Sequence, residues 1–118
     1  MARKSAIPDP LRRRHLLEEK LDPARALAIA QAYLAEERAC EAVAFLAKAG
    51  AREPLAELCV RAVAEGDPFL LRQACAALGE EPSADRWRRL AASARAAGKE
   101  VQARDADRQA QLRETGPA

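Results

Sequence analysis

The sequence has little of the material from which catalytic and metal-binding sites are built. It contains one histidine, no asparagine, one threonine and no glycine-rich phosphate-binding loop. His15 lies beside three arginines, where a solvated or packing role is more common than the role of a base in a hydrolytic triad. The sequence therefore predicts a protein that is not an enzyme and binds no cofactor or metal ion.

Cysteine is scarce as well. Cys40, Cys59 and Cys75 are far apart in the sequence and form no C-x-x-C pair. Each occupies a helical position that should face inward, so we expect reduced, unreactive core cysteines rather than a disulfide or a metal site.

Strand-forming residues are few and alanine is abundant. Only four valines, two isoleucines and two phenylalanines stand against 30 alanines. Since alanine is the strongest helix former and strands are enriched in β-branched and aromatic residues, an all-α fold is expected. No apolar stretch reaches membrane-spanning length, and residues 1–5 lack the apolar run of a secretory signal, so a cytoplasmic location without a membrane partner is expected.

The net charge of +2 is unevenly distributed: residues 1–20 carry +3, residues 21–82 carry −4 and residues 83–118 carry +3. Two arginine clusters are the residues that could contact phosphates: Arg12, Arg13 and Arg14, and Arg86, Arg88, Arg89 and Arg95. Proteins that bind single-stranded nucleic acid usually place aromatic side chains among the basic ones, and only Trp87 lies near these arginines. The arginines are therefore expected to lie on solvated helix faces rather than to bind nucleic acid.

Proline and glycine divide the chain into repeated units. Pro23, Pro54 and Pro82 each follow an acidic residue, and Gly50 and Gly79 close the apolar stretch that comes before. Proline is tolerated in a first helical turn, and glycine readily adopts the left-handed conformation that ends a helix. The pattern predicts a helix over about residues 10–20, with Leu11, Leu17 and Leu21 as its apolar stripe, followed by three antiparallel helical hairpins.

The predicted boundaries place a disordered segment at residues 1–9, one helical domain at 10–113 and a frayed tail at 114–118. The hairpins cover about residues 23–49, 55–78 and 83–113, with Pro23, Pro54 and Pro68 in first helical turns. Residues 36–38 contain no helix breaker, so one long helix from 24 to 49 is the alternative. The large side chains expected in the core are Leu46, Leu58, Cys59, Leu71, Cys75, Leu78, Trp87 and Leu90.

The units align with the tetratricopeptide pattern, W-x2-L-G-x2-Y followed by A-x3-F, A and P. The first offers Ala26, Ile29, Ala30, Tyr33, Ala42, Leu46, Ala49 and Pro54; the second offers Leu55, Leu58, Cys59, Ala62, Gly66, Leu71, Cys75 and Leu78; and the third offers Trp87, Leu90, Ala91, Ala94, Gly98, Ala103 and Ala110. Pro82 comes one residue early, and Asp107 stands where the pattern has an aromatic residue. Residues 23–113 thus resemble a tetratricopeptide-like solenoid.

This resemblance implies a short right-handed superhelix whose first helices line a concave groove that binds a peptide. The groove would present Leu27, Gln31, Leu34, Glu53, Val60, Val63, Asp85, Arg88 and Arg95. The predicted function is a non-catalytic protein-interaction or scaffold module with an unknown protein or peptide partner. The alternatives are a homo-oligomeric structural protein, or an accessory protein that binds nucleic acid through the arginine clusters. A related helical solenoid and a compact seven-helix bundle are the alternative folds.

Overall fold

A computed structural model describes residues 7–114 of the chain, and these residues form seven α-helices and no β-strand. The helices are α1 (Pro10–Glu18), α2 (Pro23–Ala35), α3 (Ala39–Ala49), α4 (Arg52–Glu65), α5 (Pro68–Leu78), α6 (Ala84–Ala96) and α7 (Glu100–Glu114). The predicted all-α class is confirmed, and the break at residues 36–38 rules out one long helix from 24 to 49.

Four helices begin with a side-chain cap. The carboxylates of Asp9, Asp22 and Asp67 and the hydroxyl of Ser83 each accept a hydrogen bond from the backbone N–H three residues later, at 2.9–3.2 Å. Each cap satisfies one of the N–H groups that a helix start leaves without a partner. Pro23 and Pro68 are the first residues of their helices and Pro54 is the third, so all three lie in first turns as predicted.

Five consecutive helices, α2 to α6, end with one hydrogen-bond pattern. A residue with positive φ donates its N–H to the carbonyl three residues earlier, and the next N–H reaches the carbonyl five residues earlier. This arrangement satisfies carbonyls that a helix end leaves open. The residues with positive φ are Glu37, Gly50, Gly66, Gly79 and Gly98. Glu37, with φ 61°, therefore ends α2 where the sequence offers no glycine.

Gly66, in the turn between α4 and α5, has a second reason to be glycine. A Cβ atom built on it would lie 2.6 Å from the Cα of Ala94 in α6. That distance is shorter than van der Waals contact, so the turn can approach α6 only because this position carries no side chain.

The chain forms two compact units whose boundary in the sequence lies between Leu55 and Ala56, within α4. We refer to them as the first unit and the second unit. The predicted single domain over residues 10–113 stays a prediction.

In the first unit, α2 packs on α3, and the rings of Tyr33 and Phe45 stack with their centroids 5.7 Å apart. Helix α1 lies on α3: Arg13 Nη2 donates to the carbonyl of Glu41 at 3.0 Å, and Lys48 Nζ donates to the carbonyl of Glu19 at 2.7 Å. From Arg13 to Glu19 the contact partner moves forward from Glu41 to Lys48, so α1 runs in the same direction as α3.

The predicted apolar stripe of Leu11, Leu17 and Leu21 is only partly correct. Leu17 and Leu21 are half-buried and Leu11 is 64% exposed, whereas the buried residue of α1 is Leu16. The nine residues of α1 are too few for their apolar periodicity to identify the buried side.

In the second unit, α6 and α7 pack as an antiparallel pair. Arg88, near the start of α6, pairs with Glu114 at the end of α7, while Arg95 pairs with Asp107. Trp87 is fully buried, and the guanidinium groups of Arg72 and Arg113 lie 5.2 and 5.6 Å from the centre of its ring. Helix α5 also contacts α7.

Seven of the eight predicted core side chains are buried: Leu46, Leu58, Cys59, Leu71, Cys75, Trp87 and Leu90. Leu78, the last residue of α5, is only half-buried, because a helix end has fewer neighbours than its middle. Cys40, expected inside, is also partly exposed. It directly follows the buried Ala39 in α3, and consecutive residues of a helix do not share a face. Phe45, which the sequence reading passed over, is fully buried.

The chain ends match the prediction only in part. Residues 1–6 and 115–118 lie outside the described residues. The predicted disordered segment, 1–9, extends too far, since Asp9 caps α1 and Ile7 and Pro8 are half-buried. Glu114, assigned to the frayed tail, is the last residue of α7 and pairs with Arg88. Within residues 7–114, no helix combines the length and the apolar character needed to cross a bilayer.

Candidate functional site

The residues of the predicted groove are divided between the two units. Leu27, Gln31, Leu34 and Glu53 belong to the first unit; Val60, Val63, Asp85, Arg88 and Arg95 belong to the second. Of its apolar members, Leu27, Leu34 and Val63 are half-buried, and Val60 is 68% exposed. The polar members are exposed. The groove itself stays a prediction.

Arg88 and Arg95, expected to bind partner carboxylates, already have carboxylate partners within the chain. Arg88 pairs with Glu114, and Arg95 Nη2 lies 2.5 Å from Asp107 Oδ2. Both arginines therefore extend along the side of α6 that meets α7. Because the four side chains are about half-exposed, these pairs contribute little stability, and a partner would have to compete with them.

Other members of the arginine clusters are engaged as well. Arg89 pairs with Asp85 at 2.9 Å and Arg14 pairs with Glu18 at 3.0 Å. The guanidinium of Arg13 lies over the rings of Tyr33 and Phe45. Carboxylates and aromatic rings of the chain itself thus engage many of the arginines that would have to contact a phosphate backbone.

Helix α7 has two opposite faces. Its buried face is a stripe of three alanines, Ala103, Ala106 and Ala110, which lets the helices approach closely. On the other side, Val101, Arg104, Arg108 and Leu112 follow one another at intervals of three, four and four residues, so they share one face. Val101 is 76% exposed and Leu112 is 56% exposed, which leaves an apolar residue at each end of this outer face.

A cleft of about 470 Å³ opens beside this face, between the start of α5 and the first half of α7. The residues that line it are Pro68, Val101, Gln102, Arg104, Asp105 and Arg108. Phe69, which follows Pro68, is 58% exposed and adds a large apolar surface next to the cleft. Concave sites that combine apolar walls with a few polar groups are the usual form of a binding site.

Asp105 is the carboxylate of the cleft, and two arginines neutralise it. Arg72 Nη2 donates to its Oδ2 at 2.8 Å, and Arg108 Nη2 donates to its Oδ1 at 3.0 Å. Partial burial raises the pKa of Asp105, but the hydrogen bonds from Arg72 and Arg108 outweigh that effect and hold the pKa below its ordinary value. The carboxylate is therefore ionised at neutral pH.

The cleft is left with positive charge. Arg104 and Arg108 in its lining, together with the neighbouring Arg72, supply three cations against the single anion of Asp105. The guanidinium of Arg104 has no hydrogen-bond or ion-pair partner among residues 7–114, and Arg108 uses only one of its donor groups on Asp105. The site can therefore attract carboxylates while its valine and phenylalanine contact apolar side chains.

Sequence reasoning missed this cleft. It did not combine Val101 and Leu112, the large apolar residues of the last helix, with Arg104 and Arg108. The spacing of these four residues is a signal that the sequence carries. The contribution of α5 could not be recognised without knowing that α5 packs on α7.

Within residues 7–114, no three His, Cys, Asp or Glu side chains converge as ligands of a metal ion.

No family model, curated protein or solved structure matches this chain.

Proposed function

We propose that this chain is a non-catalytic protein-interaction module that binds an acidic, amphipathic helical segment of a partner on the outer face of α7. The observation that carries the proposal is the combination of exposed Val101 and Leu112 with Arg104 and Arg108 beside the cleft. Amphipathic helices recognise such surfaces through residues three, four and seven apart.

The chemistry of the partner follows from the spacing on α7. Arg104 and Arg108 are one turn apart, about 6 Å along the helix, so carboxylates one turn apart on the partner would match them. Arginine suits this role because its planar, forked guanidinium can form two hydrogen bonds to a carboxylate. Apolar partner residues on either side of the carboxylates would contact Val101, Phe69 and Leu112.

We also propose the finer fold assignment, a tetratricopeptide-like stack of hairpins. Its support is the repetition of one helix-ending pattern in α2 to α6, the antiparallel pairing of α6 with α7, and the signature spacing in the sequence. In such a stack the concave groove predicted from the sequence would be a second candidate surface. The cytoplasmic location expected from the sequence remains part of this proposal.

The test begins with a display library of acidic amphipathic helices selected against the purified protein. The affinity of an enriched peptide is then measured for the parent chain, for Val101→Asp and for Arg104→Ala/Arg108→Ala. Charge-assisted hydrogen bonds contribute about 1.5–3 kcal/mol each, so the double arginine variant should bind roughly ten-fold or more weakly. Circular dichroism checks that each variant keeps its helix content.

The chain provides matched controls. Val60 is exposed to a similar extent as Val101 but lies on α4, and Arg88 is an exposed arginine outside the cleft. Val60→Asp and Arg88→Ala should bind the peptide as tightly as the parent. If these two variants lose affinity while Val101→Asp keeps it, the groove predicted from the sequence is the site and the α7 face is not.

A homo-oligomer is the second candidate, favoured by the exposure of Phe69 and Val101. Light scattering that shows a dimer in the parent and a monomer in Val101→Asp would support it against the peptide proposal. Salt-sensitive binding to random nucleic acid, lost in Arg104→Ala/Arg108→Ala, would instead show that the cations serve phosphates.

A further inference from the structure

Two cysteine thiols meet in the interior of the second unit. Cys59 in α4 and Cys75 in α5 have their Sγ atoms 3.4 Å apart, and both residues are almost completely buried. A disulfide bond is about 2.05 Å long, so the two sulfur atoms need to approach by about 1.4 Å to form one. Such a contact between α4 and α5 was not expected from the sequence, which treated each cysteine as an isolated core residue.

The two thiols have different surroundings. Arg86 Nη1 lies 3.5 Å from the Sγ atom of Cys75 and donates toward it. The guanidinium can stabilise the negative charge that develops on the Cys75 sulfur as it attacks an oxidant. Burial and the hydrogen bond with Cys75 raise the pKa of Cys59 to about 12, so Cys59 stays a thiol at neutral pH. The pair therefore contains one sulfur, that of Cys75, beside a positive charge and a second, that of Cys59, 3.4 Å from the first.

We propose that Cys59 and Cys75 form an oxidation site at which hydrogen peroxide converts the two thiols into a disulfide that links α4 to α5. The Cys75 sulfur attacks one peroxide oxygen, the O–O bond breaks, and the departing hydroxide takes the Cys75 proton to become water. The Cys59 sulfur then attacks the sulfenic acid on Cys75. The S–O bond breaks, the Cys59 proton leaves with the hydroxide as a second water, and the S–S bond forms.

The overall reaction is balanced: two thiols and one hydrogen peroxide give one disulfide and two waters. Each cysteine sulfur loses one electron, and the peroxide gains two. Because both thiols are buried, the oxidant reaches them only when the helices open transiently, and the rate should follow the frequency of that opening. Small thiols such as dithiothreitol reverse the step by disulfide exchange.

The experiment uses the full chain with Cys40→Ser, since Cys40 is partly exposed and would otherwise react with peroxide. The folded protein is treated with hydrogen peroxide, its remaining thiols are alkylated, and its mass and peptide map are determined. We expect a mass lower by two hydrogen atoms, a cross-link between the peptides that carry Cys59 and Cys75, and full recovery of both thiols on reduction.

Single variants test the order of the steps. With Cys59→Ser, peroxide should leave a sulfenic acid on Cys75 that dimedone traps. With Cys75→Ser, Cys59 should stay a thiol under the same conditions. Arg86→Ala should slow disulfide formation several-fold, and Arg86→Lys should restore part of the rate. Circular dichroism establishes that each variant is folded.

Three results would overturn the proposal: two unmodified thiols after prolonged treatment of the folded chain, sulfinic or sulfonic acids without a cross-link, or a disulfide that forms only in denaturant. If the serine variants fail to fold, the peptide map of the Cys40→Ser chain still decides between these outcomes. The Arg86 variants then remain available to test the role of the guanidinium.

Discussion

The tyrosine hydroxyl is a buried polar atom of the first unit that lacks a hydrogen-bond partner within residues 7–114. Tyr33 is fully buried, and its Oη atom has no hydrogen-bond partner among the described residues. Its ring is well placed, stacked on Phe45 and within 5.1–5.6 Å of the guanidinium groups of Arg38 and Arg13. The ring stabilises the fold, whereas the hydroxyl loses its hydration without compensation.

Tyr33→Phe keeps the ring and removes the hydroxyl. Because an unsatisfied buried polar group costs about 1–3 kcal/mol, we expect the free energy of unfolding to stay unchanged or rise by about 1 kcal/mol. Chemical denaturation of the two proteins measures the difference. A loss of more than about 1 kcal/mol would mean that the hydroxyl has a stabilising partner.

A second residue-scale prediction concerns alkaline pH. The folded chain holds the proton of Cys59 up to a pKa of about 12, against 9.0 in the absence of such surroundings. The folded state therefore binds this proton more tightly than the unfolded state does. The stability due to the neutral thiol is complete below pH 9 and is lost as the pH rises toward 12.

We expect this thiol to lower the free energy of unfolding by about 1.4 kcal/mol per pH unit above pH 9. Denaturation midpoints of the parent and of Cys59→Ala, measured across this range, isolate the effect because other titrating groups are common to both. Equal slopes for the two proteins would show that Cys59 is not desolvated in the folded state.

At the scale of the helices, the chain uses one ending five times, with four glycines and one glutamate. Glu37 adopts a left-handed conformation at φ 61° that costs a residue with a Cβ atom about 1–2 kcal/mol. Gly50 occupies the equivalent place after α3, and a Cβ added there would meet nothing within 4 Å. The two positions thus differ in residue type within one hydrogen-bond pattern.

Glu37→Gly should raise the free energy of unfolding by about 0.5–1 kcal/mol, since the relieved strain exceeds the added entropy of the unfolded chain. Gly50→Ala should lower it by about 1 kcal/mol for the opposite reason. Thermal denaturation of both variants is the measurement. A destabilised Glu37→Gly variant would show that the glutamate side chain contributes more than its backbone strain costs.

The same helices show how far sequence reasoning reaches. Proline, aspartate and glycine act through local backbone chemistry, so they located most of the helix boundaries and the all-α class. Glu37 ends α2 without any such residue, so no local signal in the sequence marks this helix end. Leu16 was missed for a related reason: nine residues of α1 carry too weak a periodicity to indicate the buried side.

The candidate site depends even more on packing. Exposed Val101 and Leu112 could be read from the sequence, and so could the spacing of the arginines between them. The sequence does not show which arginines pair with a carboxylate of the chain. The pairing of Arg88 with Glu114, for example, requires the antiparallel arrangement of α6 and α7. The cleft in turn requires the contact between α5 and α7.

At the scale of the whole molecule, stability depends on few large side chains. Alanines dominate the chain, and among the described residues only ten larger side chains are less than 2% exposed. A domain is stable by about 5–15 kcal/mol in total, so the loss of one anchoring side chain removes a large part of that margin.

Leu58→Ala tests this dependence. Leu58 is 4% exposed in α4, and truncating a buried leucine typically costs about 2–5 kcal/mol. Val60→Ala, two residues away but 68% exposed, should change the free energy of unfolding by less than about 0.5 kcal/mol. Urea titration of both variants measures the two changes. If the free energy of unfolding falls equally little in both, Leu58 is not a core residue.

The positions of the two rarest aromatic residues have a practical consequence. The only tyrosine lies in the first unit and the only tryptophan in the second, and both side chains are fully shielded from solvent. Each unit therefore has its own intrinsic fluorophore. Emission excited selectively from Trp87 reports the second unit alone, and the tyrosine signal reports the first. A single chain without added dyes can thus reveal whether its two halves melt in one step or in two.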